Sequence, residues 1–213
     1  MATKKKAAPA AATSKPVVGV IGLGNMGGAM ATNLAKNGYT VVGYDTMPAR
    51  RAALKAAGGS AVASIAAVAK AANLIITSLP TEGAVHAVMG ELAATRLKGR
   101  IVAEMSTMTL ATKEAARATL AKAGLILLDC PVSGTGKQAK AQDLVVLASG
   151  PAQAVKAFEA AFPGMSRSHY YVGPFGNGSK MKFVANLLVS IHNTSAAEAF
   201  VLGKKAGLDP AMI

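Results

Sequence analysis

The sequence predicts an α/β fold in which a doubly wound, mostly parallel sheet is covered by helices on both faces. Short runs of β-branched residues recur along the chain, and segments with helical spacing lie between most of them. Strands that alternate with helices build right-handed βαβ units, which place the strands parallel in one sheet. Hydrophobic residues make up 52% of the chain and charged residues 15%, which is typical of a well-packed globular protein.

Individual elements follow from the positions of these runs. Strands are predicted at 16–22, 40–45, 73–80, 100–106, 125–129, 143–150 and 169–173. Helices are predicted at 48–57, 109–122 and 151–162, with another where Met26, Met30 and Leu34 recur every four residues.

The pattern changes near Gly173-Pro174, where one long helical segment follows, roughly from Ser179 to Lys205. We therefore expect a flexible basic tail (1–15), an α/β domain (16–174), and a long helix that begins an all-α domain, incomplete in this sequence (175–213). One long helix cannot bury its own apolar face. It is expected to dock on a partner subunit or on a further helical domain.

The charge and the cysteine content limit the class of protein. The net charge is +13, and four of the lysines fall in the first fifteen residues. A nucleic-acid partner is one interpretation, but no basic stripe with interleaved aromatics is present, which favours small anionic ligands. No apolar run is long enough to cross a membrane. Cys130 is the only cysteine, which excludes an intrachain disulfide and suggests a reducing, cytoplasmic setting.

A glycine-rich motif, G-x-G-x-x-G, follows the first predicted strand and opens a helix. Its glycines allow a tight turn, close approach of a pyrophosphate to the backbone, and close packing of the helix on the strand. The helix N-terminus then offers free N–H groups to the phosphates. The motif predicts a Rossmann-type dinucleotide-binding fold, with cofactor contacts from Gly22, Leu23, Gly24, Asn25, Met26 and Gly27.

The end of the second strand carries Asp45, 21 residues beyond Gly24. A carboxylate there accepts hydrogen bonds from the ribose hydroxyls and repels a 2′-phosphate, so NAD is expected over NADP. NADP stays open, because Arg50 and Arg51 lie nearby and are able to hold a phosphate.

Two further strand ends border the same crevice, since ligands of open parallel sheets bind beyond the carboxyl ends of the strands. One ends in Leu79-Pro80, and the next ends in Met105-Ser106-Thr107. Thr107 offers a hydroxyl, although an ordinary turn also explains it, and Thr109 is the expected helix cap.

A polar turn, Ser133-Gly134-Thr135, follows the predicted strand 125–129, and Lys137 adds a positive charge. Its clustered N–H groups and hydroxyls suit a carboxylate, so we expect a substrate site here, with a plain polar turn as the alternative.

Two lysines stand at the start of the long helix in GNGSKMKFVAN (176–186). At 100° per residue, Lys182 shares a polar stripe with Asn186, about 40° round the axis, whereas Lys180 lies above the apolar face. The stripe faces either a substrate cleft or bulk water. No metal-ligating cluster is visible, so a dehydrogenase would need a side-chain base, and Lys182 suits that role if partial burial lowers its pKa. His169 is the alternative base.

Together these segments resemble the β-hydroxyacid dehydrogenase family of the 6-phosphogluconate dehydrogenase superfamily. The matching motifs are GLGNMG (22–27), MST (105–107), DCPVSG (129–134), GNGSKMKFVAN (176–186) and AEAFVLGKKAGLDP (197–210). The resemblance implies that Lys182 is the catalytic lysine, that Asn186 orients the reacting oxygen, that Ser133 and Gly134 bind substrate, and that Leu79, Pro80 and Thr107 contact the nicotinamide half. It also implies a homodimer, or a higher homo-oligomer, built on the long helix.

The chain departs from the family pattern at several positions. Thr135, Gln138 and Gln142 stand where the family usually has glycines, and Ala185 replaces the first of two asparagines.

We therefore expect an oxidoreductase that transfers hydride between NAD(P) and a small β-hydroxy acid, resembling 3-hydroxyisobutyrate, tartronate or threonate. The alternatives are a non-catalytic dinucleotide-binding module and an imine reductase-like enzyme.

Overall fold

The computed structural model describes residues 15–213, and the predicted basic tail falls almost entirely on residues 1–14, outside the described residues. The strands are β1 (Val17–Ile21), β2 (Thr40–Tyr44), β3 (Ser60–Ala61), β4 (Leu74–Thr77), β5 (Ile101–Glu104), β6 (Ile126–Asp129), β7 (Val132–Ser133), β8 (Val145–Ala148) and β9 (Ser168–Tyr171). The helices are α1 (Asn25–Lys36), α2 (Pro48–Ala56), α3 (Ile65–Ala71), α4 (Glu82–Ala94), α5 (Leu110–Lys122), α6 (Gly136–Lys140), α7 (Ala152–Phe158) and α8 (Asn177–Lys205).

The main sheet has six parallel strands in the order β3-β2-β1-β4-β5-β6. This order confirms the predicted Rossmann-type, doubly wound sheet. The order reverses between β1 and β4, where chain crossovers leave in opposite directions. The carboxyl ends of these two strands therefore flank a crevice, the place where ligands of this fold bind.

A second sheet joins β7, β8 and β9, with β7 antiparallel to β8 and β8 parallel to β9. An isolated bridge between Asp129 and Ser149 connects it to the end of β6. The runs at 143–150 and 169–173 were predicted as strands, but the sequence alone did not separate them into a sheet of their own. Both β3 and β7 have only two residues, too few to produce a periodic signal.

Hydrophobic clusters cover both faces of the main sheet, because side chains alternate along each strand. Val18 and Val20 of β1 belong to one cluster, together with Phe158 and Phe162. Their neighbour Gly19 faces the other cluster, where an added Cβ would lie 2.6 Å from Val68 Cγ1. Full burial of such side chains contributes about 1.5–3 kcal/mol each, so the strands are held from both sides.

The long helix α8 packs by its first turn against β6 and β8. Gly178 makes this close approach possible, since a Cβ there would lie 2.6 Å from the carbonyl oxygens of both Asp129 and Leu147. Farther along, its apolar side chains are exposed, among them Val184 (55%), Leu187 (60%) and Leu202 (70%). None of the helices within residues 15–213 is both long and apolar enough to span a bilayer.

Candidate active site

The glycine loop between β1 and α1 has the geometry that its motif predicts. Gly22 adopts a φ of +89°, and a Cβ there would lie 2.2 Å from the carbonyl oxygen of Ser78. At Gly27 a Cβ would lie 1.9 Å from the carbonyl oxygen of Gly22. Gly24 precedes α1 and supplies no side chain to cap it, so the first N–H groups of that helix stay available to an anion.

The carboxylate of Asp45 ties the end of β2 to this loop. The backbone N–H of Leu23 donates to its Oδ2 at 2.8 Å, and the N–H of Met47 donates to its Oδ1 at 2.8 Å. Asp45 is 6% exposed, and Arg50 lies beside it, with Nη1 3.4 Å from Oδ2. Asp45 therefore fixes the conformation of the loop and lines the cavity described below.

The two arginines that sequence placed together behave differently. Arg51 donates to the backbone carbonyls of Asp45 and Thr46 and so stabilises the strand end. Arg50 keeps 45% of its side chain exposed, and its guanidinium is the nearest group to a Cβ built on Gly24. Of the two, Arg50 is the more accessible to a phosphate, although it also pairs with Asp45.

A cavity of about 490 Å³ opens at the reversal point of the sheet. It brings together the glycine loop (Gly22, Gly24, Asn25 and Met26), Asp45, Arg50, and the Leu79-Pro80 turn that follows β4. The opposite wall comes from α4, through Ala84, Ala87, Val88 and Glu91. Apolar walls with a few convergent polar groups are what a nucleotide requires, so the residues present fit a dinucleotide.

The Leu79-Pro80 turn is held by a residue that the sequence reasoning passed over. Ser106 Oγ accepts a hydrogen bond from the Leu79 N–H at 2.8 Å, and Ser106 is buried. Its neighbour Thr107 is exposed and does not line the cavity. Thr109 caps α5, as expected, and donates from its hydroxyl to Glu82 Oε1 at 2.7 Å.

The predicted substrate turn is built around Gly134. This residue has a φ of +138°, and a Cβ there would lie 2.7 Å from Leu144 Cδ2, so glycine is required. Ser133 ends β7 and is partly exposed. Thr135 and Gln138 form a reciprocal capping box at the start of α6. The Thr135 hydroxyl therefore already serves a helix cap, a use that competes with binding substrate.

The structure distinguishes the two lysines at the start of α8. Lys182 is partly buried, whereas Lys180 is exposed. Burial lowers the pKa of Lys182 below the ordinary value of a lysine. Lys182 follows Gly178 by four residues and so lies on the same side of the helix, the side that packs beside Pro131 at Gly178. Asn186 lies one turn farther on and is exposed.

The predicted residues thus form two groups. Gly22, Asp45, Leu79 and Pro80 meet at the cavity, together with most of the glycine loop. The second group lies outside the cavity. It consists of two residues of the glycine loop, Leu23 and Gly27, and of the residues predicted to contact nicotinamide or substrate: Thr107, Ser133, Gly134, Thr135, Lys182 and Asn186. Within residues 15–213, no three His, Cys, Asp or Glu side chains are grouped so as to hold a metal ion.

Sequence reasoning also missed a charged cluster in the interior. Lys113 of α5, Glu104 of β5 and Asp129 of β6 are fully buried, and the Lys113 ammonium contacts both carboxylates. Burial alone would lower the pKa of Lys113, but attraction by the Glu104 and Asp129 carboxylates outweighs it and raises this pKa. Cys130 is buried alongside, and burial raises the pKa of its thiol.

Fold, glycine loop and cavity together define an NAD(P)-binding α/β protein. Residues 17–173 match the family described as the NAD binding domain of 6-phosphogluconate dehydrogenase. Residues 176–213 match the family described as NAD-binding of NADP-dependent 3-hydroxyisobutyrate dehydrogenase. The chain belongs to the β-hydroxyacid dehydrogenase family, as the sequence motifs predicted.

Individual relatives agree with this assignment. The chain is 40% identical over 200 residues to 2-(hydroxymethyl)glutarate dehydrogenase of Eubacterium barkeri, covering 91% of this chain and 65% of the relative. It superposes on the Mycobacterium tuberculosis 3-hydroxyisobutyrate dehydrogenase structure with L-serine at a TM-score of 0.86 and 28% identity, covering 91% of this chain and 67% of the other. A Streptomyces aurantiacus imine reductase gives a TM-score of 0.81 at 28% identity, covering 92% of this chain and 69% of the other. The chain spans 60–65% of the length of the first curated relatives that it matches.

Proposed function

We propose that this chain carries the cofactor domain and the catalytic lysine of an NAD(P)-dependent oxidoreductase that acts on the hydroxyl of a small β-hydroxy acid. One observation carries the proposal. The partly buried amine of Lys182, whose pKa is lowered by burial, lies in the second turn of α8. The first turn of that helix packs against β6, which belongs to the same sheet as the strands β1, β2 and β4 that build the cofactor cavity.

The proposed roles follow from the chemistry of each group. NAD(P) held in the cavity would supply the hydride-transfer chemistry at the substrate carbon. Lys182 takes the hydroxyl proton during oxidation and gives it back during reduction, because a lysine with a lowered pKa exchanges protons nearer to neutral pH. Asn186 orients the reacting oxygen. Ser133 and Gly134 hold the substrate carboxylate, with Thr135 also assigned there although its hydroxyl caps α6.

A comparison of the two neighbouring lysines tests this proposal. Lys182→Ala removes the proton carrier and is expected to lower kcat by about 10²–10⁴-fold while NAD binding persists. Lys180→Ala is the matched control, because Lys180 is exposed and lies two residues from Lys182. This variant should retain kcat within about threefold. Stopped-flow or steady-state NADH absorbance measures turnover, and fluorescence titration measures NAD binding. Unchanged turnover in Lys182→Ala would refute the role of this residue.

The substrate is to be found with a panel of small hydroxy acids and semialdehydes. The names of the relatives point to 3-hydroxyisobutyrate and 2-(hydroxymethyl)glutarate as the first members to assay. Imine reduction is the second candidate, because imine reductases share the fold. Cyclic imines therefore belong in the same panel, and turnover of imines without any turnover of hydroxy acids would replace the proposal. Binding of NAD without either activity would favour the non-catalytic module.

The sequence-based expectations of domains, assembly and location remain predictions. We place the domain boundary at 174/175 and expect a homodimer built on α8, whose exposed leucine and valine side chains supply an apolar surface. Sedimentation equilibrium of the chain beside a Leu187→Glu variant tests the dimer, since the charge would disrupt an apolar interface. A cytoplasmic setting is likewise expected, and cell fractionation checks it.

A further inference from the structure

The buried cluster of Lys113, Glu104 and Asp129 is connected on one side to the cofactor cavity and on the other to the start of α8. Lys113 Nζ contacts Glu104 Oε2 and lies 3.0 Å from Asp129 Oδ1. The same ammonium donates to the Glu104 backbone carbonyl at 3.3 Å. All three side chains are fully buried, so the surrounding medium weakens these interactions little. Without the ammonium, two buried carboxylates would be left without a neutralising charge.

One arm of the cluster reaches the start of α8. The Ser179 N–H donates to Asp129 Oδ2 at 2.8 Å, and the Ser179 hydroxyl donates to Asp129 Oδ1 at 2.8 Å. The helix has no cap of its own, because Gly176 at its N-cap position offers no side chain. A negative charge at this end is also favoured by the helix dipole. Asp129 thus fixes the turn that carries Lys182, three residues beyond Ser179.

The other arm reaches the cofactor cavity. The Ser106 N–H donates to Glu104 Oε1 at 3.0 Å. Ser106 Oγ in turn accepts from the Leu79 N–H at 2.8 Å, and Leu79 lines the cavity. An unbroken series of hydrogen bonds and ion pairs therefore runs from the cofactor wall to the start of α8.

We propose that Lys113 is a positioning residue, which sets the first turn of α8, and with it the Lys182 amine, relative to the Leu79-Pro80 wall of the cofactor cavity. The inference rests on the proposed function, in which Lys182 carries the proton. Lys113 touches neither cofactor nor substrate in this scheme. Its ammonium holds the Glu104 and Asp129 carboxylates in place. Glu104 in turn binds Ser106, which holds Leu79, and Asp129 binds Ser179 at the start of α8.

The test compares variants inside the cluster with a destabilised variant outside it. Lys113→Met keeps an unbranched side chain, one atom shorter, and removes the charge, and Ser179→Ala removes only the hydroxyl that meets Asp129. Leu120→Ala is the matched control, because Leu120 lies seven residues beyond Lys113 on α5, two turns along the same face, and is buried in an apolar cluster.

Two readouts separate positioning from ordinary stability. The first is kcat against KM for NAD, measured on folded protein. The second is the titration of Lys182, followed by NMR of ¹³C-methylated lysines and assigned with Lys182→Arg. We expect at least a tenfold loss of kcat in Lys113→Met and Ser179→Ala, with KM for NAD within about threefold. We also expect their Lys182 titration to move up toward that of an ordinary lysine. Leu120→Ala should retain both properties.

Each other outcome has a defined meaning. Wild-type kcat and Lys182 titration in folded Lys113→Met and Ser179→Ala would overturn the inference, as would equal changes in Leu120→Ala. If Lys113→Met does not fold, Ser179→Ala decides by the same criteria. If the unaltered chain turns over no substrate, the proposed function fails, and the Lys182 titration still decides whether Lys113 positions α8.

Discussion

At the scale of single residues, the close packing of the glycine loop leaves room only for glycine at two positions. A methyl group at Gly27 would overlap the carbonyl oxygen of Gly22, and one at Gly22 would overlap that of Ser78. Both neighbours are backbone atoms, which cannot turn aside as a side chain would. Gly27 therefore sets the distance between β1 and α1, and that distance brings the first N–H groups of α1 to the cofactor.

Replacing Gly27 by alanine should abolish NAD binding. The new methyl group forces α1 away from the loop, at a cost of about 3 kcal/mol or more. Gly90→Ala is the control, because no atom lies within 4 Å of a Cβ at this position in α4. Removal of glycine flexibility there should stabilise the fold by about 0.5–1 kcal/mol. Urea unfolding and NAD fluorescence titration report both effects, and tight NAD binding by Gly27→Ala would contradict the account.

Cofactor preference depends on Arg50 and Asp45. We expect the chain to prefer NAD, because a carboxylate at the end of β2 would repel the 2′-phosphate of NADP. Residual NADP binding should depend on Arg50, whose guanidinium lies 3.4 Å from Asp45 and is half exposed. Arg50→Ala should weaken NADP binding by about fivefold, in keeping with one exposed charge contact, and leave NAD binding unchanged. Lys55→Ala, exposed on the same helix, should change neither affinity in calorimetric titrations.

The sequence predicts the cavity-lining residues that belong to local motifs and does not reveal the buried residues that depend on tertiary contacts. Gly22 and Asp45 lie at fixed distances from a strand end, so spacing alone indicates their roles. Lys113 stands in ATKEAARA, a stretch in which a lysine normally faces solvent. Its burial requires Glu104 and Asp129 from two other strands, and no local pattern reveals that meeting. Thr135 is predicted to bind substrate, and the sequence did not reveal that its hydroxyl caps α6 in a reciprocal box with Gln138.

At the scale of elements, the first N–H groups of α8 are capped by side chains from both sheets. The Gly178 N–H donates to Ser149 Oγ at 3.0 Å, and the Ser179 N–H donates to Asp129. These side chains come from the end of β6 and from just beyond β8. They satisfy helix donors that would otherwise be buried without partners.

Ser149→Ala should therefore destabilise the start of α8. The substitution leaves the Gly178 N–H without its acceptor in a buried position, which costs about 1–3 kcal/mol. Ser195→Ala on the exposed part of α8 loses only a bond from its hydroxyl to the His192 carbonyl and should change stability by less than about 0.5 kcal/mol. Urea unfolding gives the stability, and hydrogen exchange at Gly178 locates the effect. Equal effects from both serines would show that Ser149 does not support the helix.

The elements that sequence predicted are those whose own residues carry the signal. β1 and β2 each have five residues rich in valine, and their burial follows from that composition. β7 has only two residues and is defined by its pairing with β8. That pairing is a tertiary contact, which the local sequence does not indicate. The separate second sheet follows from the same pairing.

At the scale of the whole molecule, the buried cluster links stability to alkaline pH. The pKa of Lys113 is raised in the folded state, so the folded protein holds this proton more tightly than the unfolded chain. The resulting stabilisation is complete below the ordinary lysine pKa, about 10.4, and is lost as pH rises through the higher folded value.

We therefore expect the free energy of unfolding to fall above about pH 10.4 more steeply in the unaltered chain than in Lys113→Met. At pH 7 the variant should be less stable by about 3–5 kcal/mol, because two buried carboxylates lose their cation. The gap between the two should narrow as pH rises. Guanidinium unfolding at a series of pH values measures it, and a gap independent of alkaline pH would exclude Lys113 as the titrating group.

The seat of α8 at Gly178 leaves no spare room, since two carbonyl oxygens lie within reach of a single added carbon. The whole of α8 has 29 residues and is therefore about 43 Å long. A tilt of only 5° at the seat would carry the far end through roughly 4 Å on that length. A small change in the packing at Gly178 would therefore displace the far half of α8, and any surface in contact with it, by several times as much.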